Sequence, residues 1–211
     1  MAGTAARRNA VPVLFDLFRT VAATRSAKAL HPRGAVVRGQ LVRHGLRPAT
    51  GVPWIDDPGV DEVLVRFSRG AGLPAPLPDV QGLALRSTSP DGAPVDVLLA
   101  TTLGRRVPWP RRRSTGVLHS SIAAYRAPGG PLLLGARSHG AGFLLAAAAP
   151  RGPWRPFGHL HLADDPARAQ DAPLTFEPVL NAAPGLTFPW FWRRLREPAY
   201  AGSRVGRTRR P

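Results

Sequence analysis

The sequence predicts a mostly β protein, with an antiparallel barrel or sandwich in a single domain. Gly and Pro make 46 of the 211 residues and follow no period, which disfavours a helical bundle and suits short strands joined by turns. Apolar residues make 44% of the chain, enough for a substantial core at this length. Cys is absent, which excludes disulfides, thiolate metal sites and a Cys nucleophile.

An amphipathic helix opens the predicted architecture. Residues 11–24 carry apolar side chains at positions 13, 14, 17, 18 and 21, a helical spacing, so we expect residues 1–27 to form a helical arm. Asp16 and Arg19 interrupt its apolar patch, which disfavours a signal peptide and favours a cytoplasmic protein. No apolar run reaches the roughly 18 residues of a transmembrane helix.

Seven short segments rich in Val and Leu follow, separated by Pro, Gly and Asp, and these predict strands. They are residues 35–44, 62–68, 80–87, 95–102, 130–137, 142–149 and 157–163. The segment 142–149 is ambiguous because its alanines favour helix. Residues 103–120 are predicted to form a mobile basic loop, 189–195 a short helix and 201–211 a basic tail.

The formal net charge of +16 comes from 28 Arg and one Lys against 13 acidic residues. Such a balance raises affinity for polyanions, although a GC-rich coding bias also favours Arg over Lys. The arginines cluster at 105–113 and 204–210, without a helix-turn-helix, zinc finger or aromatic RNA platform. A nucleic-acid partner is therefore disfavoured, and association as a homodimer stays open.

Several residues could carry chemistry, although each alone has an ordinary structural explanation. His31 lies in a stiff Pro-Gly turn, where a lone imidazole is commonly structural. Arg66 stands in an apolar strand, where it either meets a buried anion or simply points outward. Tyr200 follows Arg196 by four residues, and a nearby cation favours the phenolate that can bind ferric haem.

In their order and spacing, these segments resemble the haem catalase superfamily in a reduced form, over residues 28 to 207. The barrel segments that carry the resemblance are His31-Pro-Arg-Gly34, Val65-Arg66-Phe67-Ser68 and Asp79-Val-Gln-Gly82-Leu-Ala84-Leu-Arg86. The segments similar to the family's proximal haem region are Phe176-Glu-Pro, Pro184-Gly185 and Arg196-x-x-x-Tyr200, with Arg207 beyond them.

This resemblance implies an α+β, mostly β fold: an antiparallel catalase-like β-barrel with a few flanking helices, binding haem b. It implies that His31 is the catalytic histidine and that Ser68 orients it. Tyr200 would then be the ligand of the haem iron, kept ionised by Arg196. The haem propionates would be bound by the basic residues Arg66, Lys28 and Arg207.

Two departures from the family pattern weaken the expectation of rapid peroxide dismutation. The family's distal Asn is missing, and Thr101 or Thr102 is the candidate to donate a hydrogen bond to peroxide in its place. Lys28 replaces a usual propionate-binding Arg. The resemblance therefore implies an oxidoreductase, a peroxidase or an enzyme of organic (lipid) hydroperoxides, at least as much as a true catalase.

Two alternatives remain open at this point. His159 and His161 lie two residues apart, with Asp164 three further on, as in a metal-dependent phosphodiesterase. That site would need more ligands, for which the candidates are His119, His139, Asp56 and Asp57, and an ordinary edge strand explains the pattern equally simply. The second alternative is a catalase-fold binding module that has lost its haem.

Overall fold

The computed structural model describes residues 34–89, 91–170, 172 and 174–188. Ten strands, one α-helix and one turn of 3-10 helix lie in this part of the chain. The strands are β1 (Gly34–Arg43), β2 (Gly59–Arg69), β3 (Gln81–Thr88), β4 (Pro94–Leu103), β5 (Val107–Pro108), β6 (Leu118–Ser120), β7 (Tyr125–Ala127), β8 (Gly130–His139), β9 (Gly142–Ala148) and β10 (Arg155–Leu162). The helix α1 (Pro53–Asp56) follows β1, and the 3-10 turn (Pro166–Arg168) follows β10.

Eight of these strands close into an antiparallel barrel, in the order β1-β2-β3-β4-β6-β8-β9-β10 and back to β1. The closing pair is β1 with β10, where Gly39 lies opposite Leu162. The two remaining strands lie beside the barrel, β5 against β4 and β7 against β8. The predicted mostly β, antiparallel barrel is thereby confirmed.

Alternation along each strand sends apolar side chains into the barrel and leaves the others on its outer face. On β2 the inward residues are Val63 and Val65, and on β3 they are Leu83 and Leu85. The helix α1 adds Trp54, which is 1% exposed and contacts Phe157 edge-to-face. A cavity within this core measures about 10 Å³, which is too small for anything larger than a water molecule.

The alanine-rich segment that sequence left ambiguous is strand β9. Ala147 and Ala148 are fully buried, and β9 is hydrogen-bonded to β8 on one side and to β10 on the other. The helix propensity of alanine is worth only tenths of a kcal/mol per residue. The hydrogen bonding of β9 along both of its edges outweighs this preference for helix.

The prediction of one basic loop over residues 103–120 is wrong at its end. The segment contains β5 and β6, and both His119 and Ser120 on β6 are fully buried. The three residues of β6 fill the gap between β4 and β8, so the barrel itself requires a strand here. The arginines occupy the turns on either side of β5.

Several predictions fall outside the described residues. These are the N-terminal helical arm at 1–27, the short helix at 189–195 and the basic tail at 201–211. Among the residues that are described, no helix has the length and apolar character needed to cross a membrane.

Candidate functional site

One row across the outer face of strands β1 to β4 carries small side chains. Strand pairing places Gly34, Ser68, Gly82 and Ala100 side by side in one row across the four strands. Adjacent strands lie about 4.8 Å apart, so this row extends for about 14 Å. We call the face formed by this row and the next, which contains Val36, Arg66, Ala84 and Leu98, the outer wall.

Arg66 lies on the outer wall beside Gly34, and the two are in close contact. A Cβ at Gly34 would lie 2.8 Å from the guanidinium carbon of Arg66 and 2.6 Å from the carbonyl oxygen of Phe67. The absence of a side chain at Gly34 therefore makes room for the Arg66 guanidinium. A planar guanidinium on this face can pair with a carboxylate through two parallel hydrogen bonds.

Ser68 lies one row from Arg66 on the same face and is half-buried. Its hydroxyl is directed away from the barrel core, because Val63 and Val65 on the same strand define the inward side. The structure thus brings together Arg66 and Ser68, two of the predicted site residues.

Thr101 does not share that face. It is fully buried inside the barrel, and its hydroxyl donates to the carbonyl of Trp109 at 2.8 Å and accepts the backbone N–H of Gln81 at 3.0 Å. Donating to a bound ligand would require breaking the bond to Trp109, so the predicted role as a peroxide donor does not suit this placement. The residue in the row of Ser68 is Ala100, and Thr102 is the next outward residue.

The motif from Asp79 to Arg86 has a structural explanation for each member. The Asp79 carboxylate is 1% exposed and accepts the backbone N–H groups of Ala71 at 2.9 Å and Val80 at 2.7 Å, which fixes the turn before β3. Gly82 and Ala84 alternate onto the outer wall, where both are buried. The motif therefore has a structural role: Asp79 fixes the turn before β3, and alternation places Gly82 and Ala84 in the outer wall.

Arg86 and Asp96 hold residues 174–188 against the barrel. The two side chains share two bonds of 2.7 Å, and Arg86 also donates to the carbonyl of Thr175 at 2.7 Å. Asp96 accepts from the backbone N–H of Glu177 at 2.7 Å and the side chain of Asn181 at 2.8 Å. The hydrogen bond to Asp96 raises the pKa of Arg86, which stays charged.

His119 is a buried imidazole inside the barrel, packed edge-on against Phe143. Burial lowers its pKa to about 4, even though the nearby backbone of Val117 and Ala136 partly favours the charged form. Neither ring nitrogen makes a hydrogen bond of normal geometry within the described chain. His119 is therefore neutral at pH 7 and part of the core.

The remaining predicted site residues lie outside the described part of the chain. They are Lys28, His31, Arg196, Tyr200 and Arg207. Their roles stay predictions.

The alternative metal site is not supported. The rings of His159 and His161 share the outer face and stack at 6.4 Å, with His139 and His44 nearby at 5.3 and 5.9 Å from His159. No group of three or more His, Asp or Glu side chains in the described ranges is arranged to hold a metal ion. Burial, and then the neighbouring histidines, lower the pKa of His159.

Two of the additional ligands predicted for that metal site, His119 and Asp56, are placed where they do not contribute to it. His119 lies on the inner face, with the barrel wall between it and His159. The Asp56 carboxylate accepts the backbone N–H groups of Thr50, Gly51 and Val52 at 2.7 to 2.9 Å and fixes the turn before α1.

No protein-family model matches this chain, and no curated protein matches its sequence. Among solved structures, catalase A from Saccharomyces cerevisiae aligns with a TM-score of 0.60 at 12% identity, over 89% of this chain and 64% of that one. A fungal catalase aligns with a TM-score of 0.55 at 13% identity, over 83% of this chain and 59% of that one. The fold is catalase-like. The chain spans less than two thirds of the length of either catalase.

Two features of the site were not predicted from the sequence. Ala100 occupies the wall position for which a hydroxyl was expected, and only the register between β3 and β4 identifies it. The clamp formed by Asp96, meaning its hydrogen bonds to Arg86, Glu177 and Asn181, was also not predicted. A visible signal for it is a lone acid at the start of an apolar strand, ten residues after Arg86.

Proposed function

We propose that this protein binds haem b on the outer wall and reacts with peroxides, as a catalase-like peroxidase or an enzyme of organic hydroperoxides. The observation that carries the proposal is the placement of Arg66 and Ser68 on one face with Gly82, Ala84 and Ala100, in a catalase-like barrel. The barrel interior offers no comparable space, because side chains fill it.

The residues present fit a haem. Small side chains at Gly82, Ala84 and Ala100 would let a planar ring lie close to the backbone of the wall. The Arg66 guanidinium, accommodated by Gly34, is the natural partner of a propionate. When bound, ferric haem supplies the redox centre at which the peroxide O–O bond is cleaved.

The chain's own residues would transfer the proton, bind the iron and neutralise the propionates. His31 would take a proton from the peroxide and return it to the departing oxygen, acting as base and then as acid. Ser68 would hold the His31 ring in orientation. Tyr200 would bind the iron as a phenolate, and the Arg196 guanidinium would favour that ionised form. Lys28 and Arg207 would neutralise propionate charge beside Arg66.

Ala100 supports the peroxidase form of this proposal over rapid peroxide dismutation. A methyl group offers no hydrogen bond to a bound peroxide, so this position lacks the donor expected there, and His31 would handle the proton. A smaller side chain there also leaves more room for the alkyl group of an organic hydroperoxide.

An absorption spectrum tests the proposal. Protein expressed with a haem precursor, or mixed with haemin, should show a Soret band of ferric-phenolate character, and the Tyr200→Phe variant should lose or shift it. The chain has one other tyrosine, the buried Tyr125, so Tyr125→Phe is the matched control and should leave the band in place.

A protein that stays colourless with added haemin would refute haem binding and favour a catalase-fold binding module. A Soret band that is unchanged in Tyr200→Phe would support haem binding but refute Tyr200 as the ligand of the haem iron. Turnover of hydrogen peroxide, cumene hydroperoxide and a fatty-acid hydroperoxide would then rank the substrates of a haem-loaded protein.

A further inference from the structure

Residues 72–78 form an exposed apolar loop between β2 and β3. The segment reads Gly-Leu-Pro-Ala-Pro-Leu-Pro and has no polar side chain. All seven residues are exposed, including Leu73 at 41% and Leu77 at 50%. Large apolar side chains exposed side by side usually mark a site of interaction.

The apolar loop is held in shape by charged residues at its base. Arg69 donates to the carbonyl oxygens of Leu73 and Leu77. The Asp79 carboxylate accepts the backbone N–H groups of Ala71 at 2.9 Å and Leu73 at 3.1 Å. Asp79 itself is 1% exposed. The loop therefore presents its leucines on a fixed backbone, with the acid withdrawn from the surface.

An arginine-rich segment lies directly beside the apolar loop. The backbones of Asp79 and Arg111 exchange hydrogen bonds of 3.1 and 2.8 Å, which joins the two loops. Arg112 and Arg113 follow and are both exposed. From Val97 to Ala163 the sequence has nine Arg and no Asp or Glu, so no exposed acid on that stretch offsets their charge.

We propose that the apolar loop, together with Arg112 and Arg113, docks on the surface of a bilayer containing anionic phospholipids. Leucine and proline side chains can enter the boundary between headgroups and acyl chains, and each arginine near the surface adds attraction for anionic lipid. A nucleic acid would use the arginines and leave Leu73 and Leu77 exposed to water, whereas a bilayer surface would use both groups.

Sedimentation with vesicles tests this docking. The probes are vesicles of phosphatidylcholine with about one third phosphatidylserine and vesicles of phosphatidylcholine alone. The wild type should sediment with the anionic vesicles. We expect Leu73→Ser/Leu77→Ser and Arg112→Gln/Arg113→Gln each to weaken this binding by about tenfold or more, since two favourable contacts are lost in each.

Matched double variants separate local docking from the general attraction of a chain with charge +16. Val60→Ser/Leu180→Ser removes two exposed apolar side chains elsewhere, and Arg126→Gln/Arg151→Gln removes two exposed arginines elsewhere. Binding should stay within about twofold in both controls. Equal losses in loop and control variants would overturn the proposal, as would retention of binding by the loop variants.

Insertion can be observed directly because the chain has no cysteine. An environment-sensitive fluorophore on Leu77→Cys should shift to the blue with anionic vesicles, whereas the same label on Leu180→Cys should not. A shift with duplex DNA, or none with vesicles, would contradict docking on lipid. These readouts need no haem, so their failure would leave the proposed peroxide chemistry standing.

Discussion

The guanidinium of Arg86 and the carboxylate of Asp96 are joined by two bonds of 2.7 Å on the outside of the barrel. Asp96 is fully shielded from solvent, whereas the Arg86 side chain is 29% exposed. Asp96 also binds the backbone of Glu177 and the side chain of Asn181. One carboxylate thereby connects two strands of the barrel to residues 174–188.

Substitution of Asp96 by alanine should therefore be strongly destabilising. We expect Asp96→Ala to lower the free energy of unfolding by about 3 kcal/mol, because several hydrogen bonds are lost together and buried donors are left unpaired. Urea unfolding followed by circular dichroism measures the change. The exposed Asp91 provides a control, and Asp91→Ala should change stability by less than about 1 kcal/mol. Equal effects would refute the clamp.

Thr101→Val should affect stability rather than peroxide chemistry. The substitution keeps the shape of the side chain but leaves the buried N–H of Gln81 and the carbonyl of Trp109 without their partner, at a cost of about 1–3 kcal/mol. Haem absorption and peroxide turnover of the folded variant should match those of the wild type. Ser68→Ala should show the opposite pattern, with slower turnover and little change in stability.

Stability should fall in mild acid because of His119. Its pKa of about 4 in the folded protein lies below the ordinary histidine pKa of about 6.5, so the unfolded chain binds more protons between these values. The folded state should therefore lose about 2 kcal/mol between pH 7.5 and pH 4.5 through this residue. His119→Leu should flatten that part of the pH profile in urea unfolding. Leu180→Ala, at an exposed position without a titratable group, should leave the profile close to that of the wild type.

A bulky side chain on the outer wall should prevent haem binding. Ala84→Leu adds volume next to Arg66 in the wall, where a planar ligand would lie against the backbone. We expect haemin affinity to fall by at least tenfold while the far-ultraviolet circular dichroism is preserved. Ala146→Leu, on the outer face of β9, is the matched control and should keep the affinity of the wild type. Equal affinity in both variants would place the ligand elsewhere.

Alternation and turn residues were sufficient to predict most of the barrel. The seven predicted strands correspond to β1, β2, β3, β4, β8, β9 and β10, each long enough to show its pattern. Strands β5, β6 and β7 have two or three residues, too few for a periodicity to be visible. These short strands form because neighbouring strands offer unpaired backbone groups. That is a property of the assembled sheet and not of the local sequence.

The candidate site could be predicted only in part, for a related reason. Residue types located Arg66 and Ser68, but the face occupied by Thr101 depends on the register between strands, and a shift of one residue reverses it. The opposition of Gly82 and Ala100 settles that register. A motif read along one strand cannot contain this information.

The pairing of β1 with β10 has a consequence for biosynthesis. Gly39 meets Leu162, about 120 residues later in the chain, so the barrel cannot close until nearly all of the described sequence has left the ribosome. Hairpins such as β2–β3 and β8–β9 can form earlier because their contacts are local. Until β10 arrives, β1 and β9 each expose a row of unpaired backbone groups to other nascent chains. A chain shortened before residue 155 would keep those open edges permanently and should self-associate.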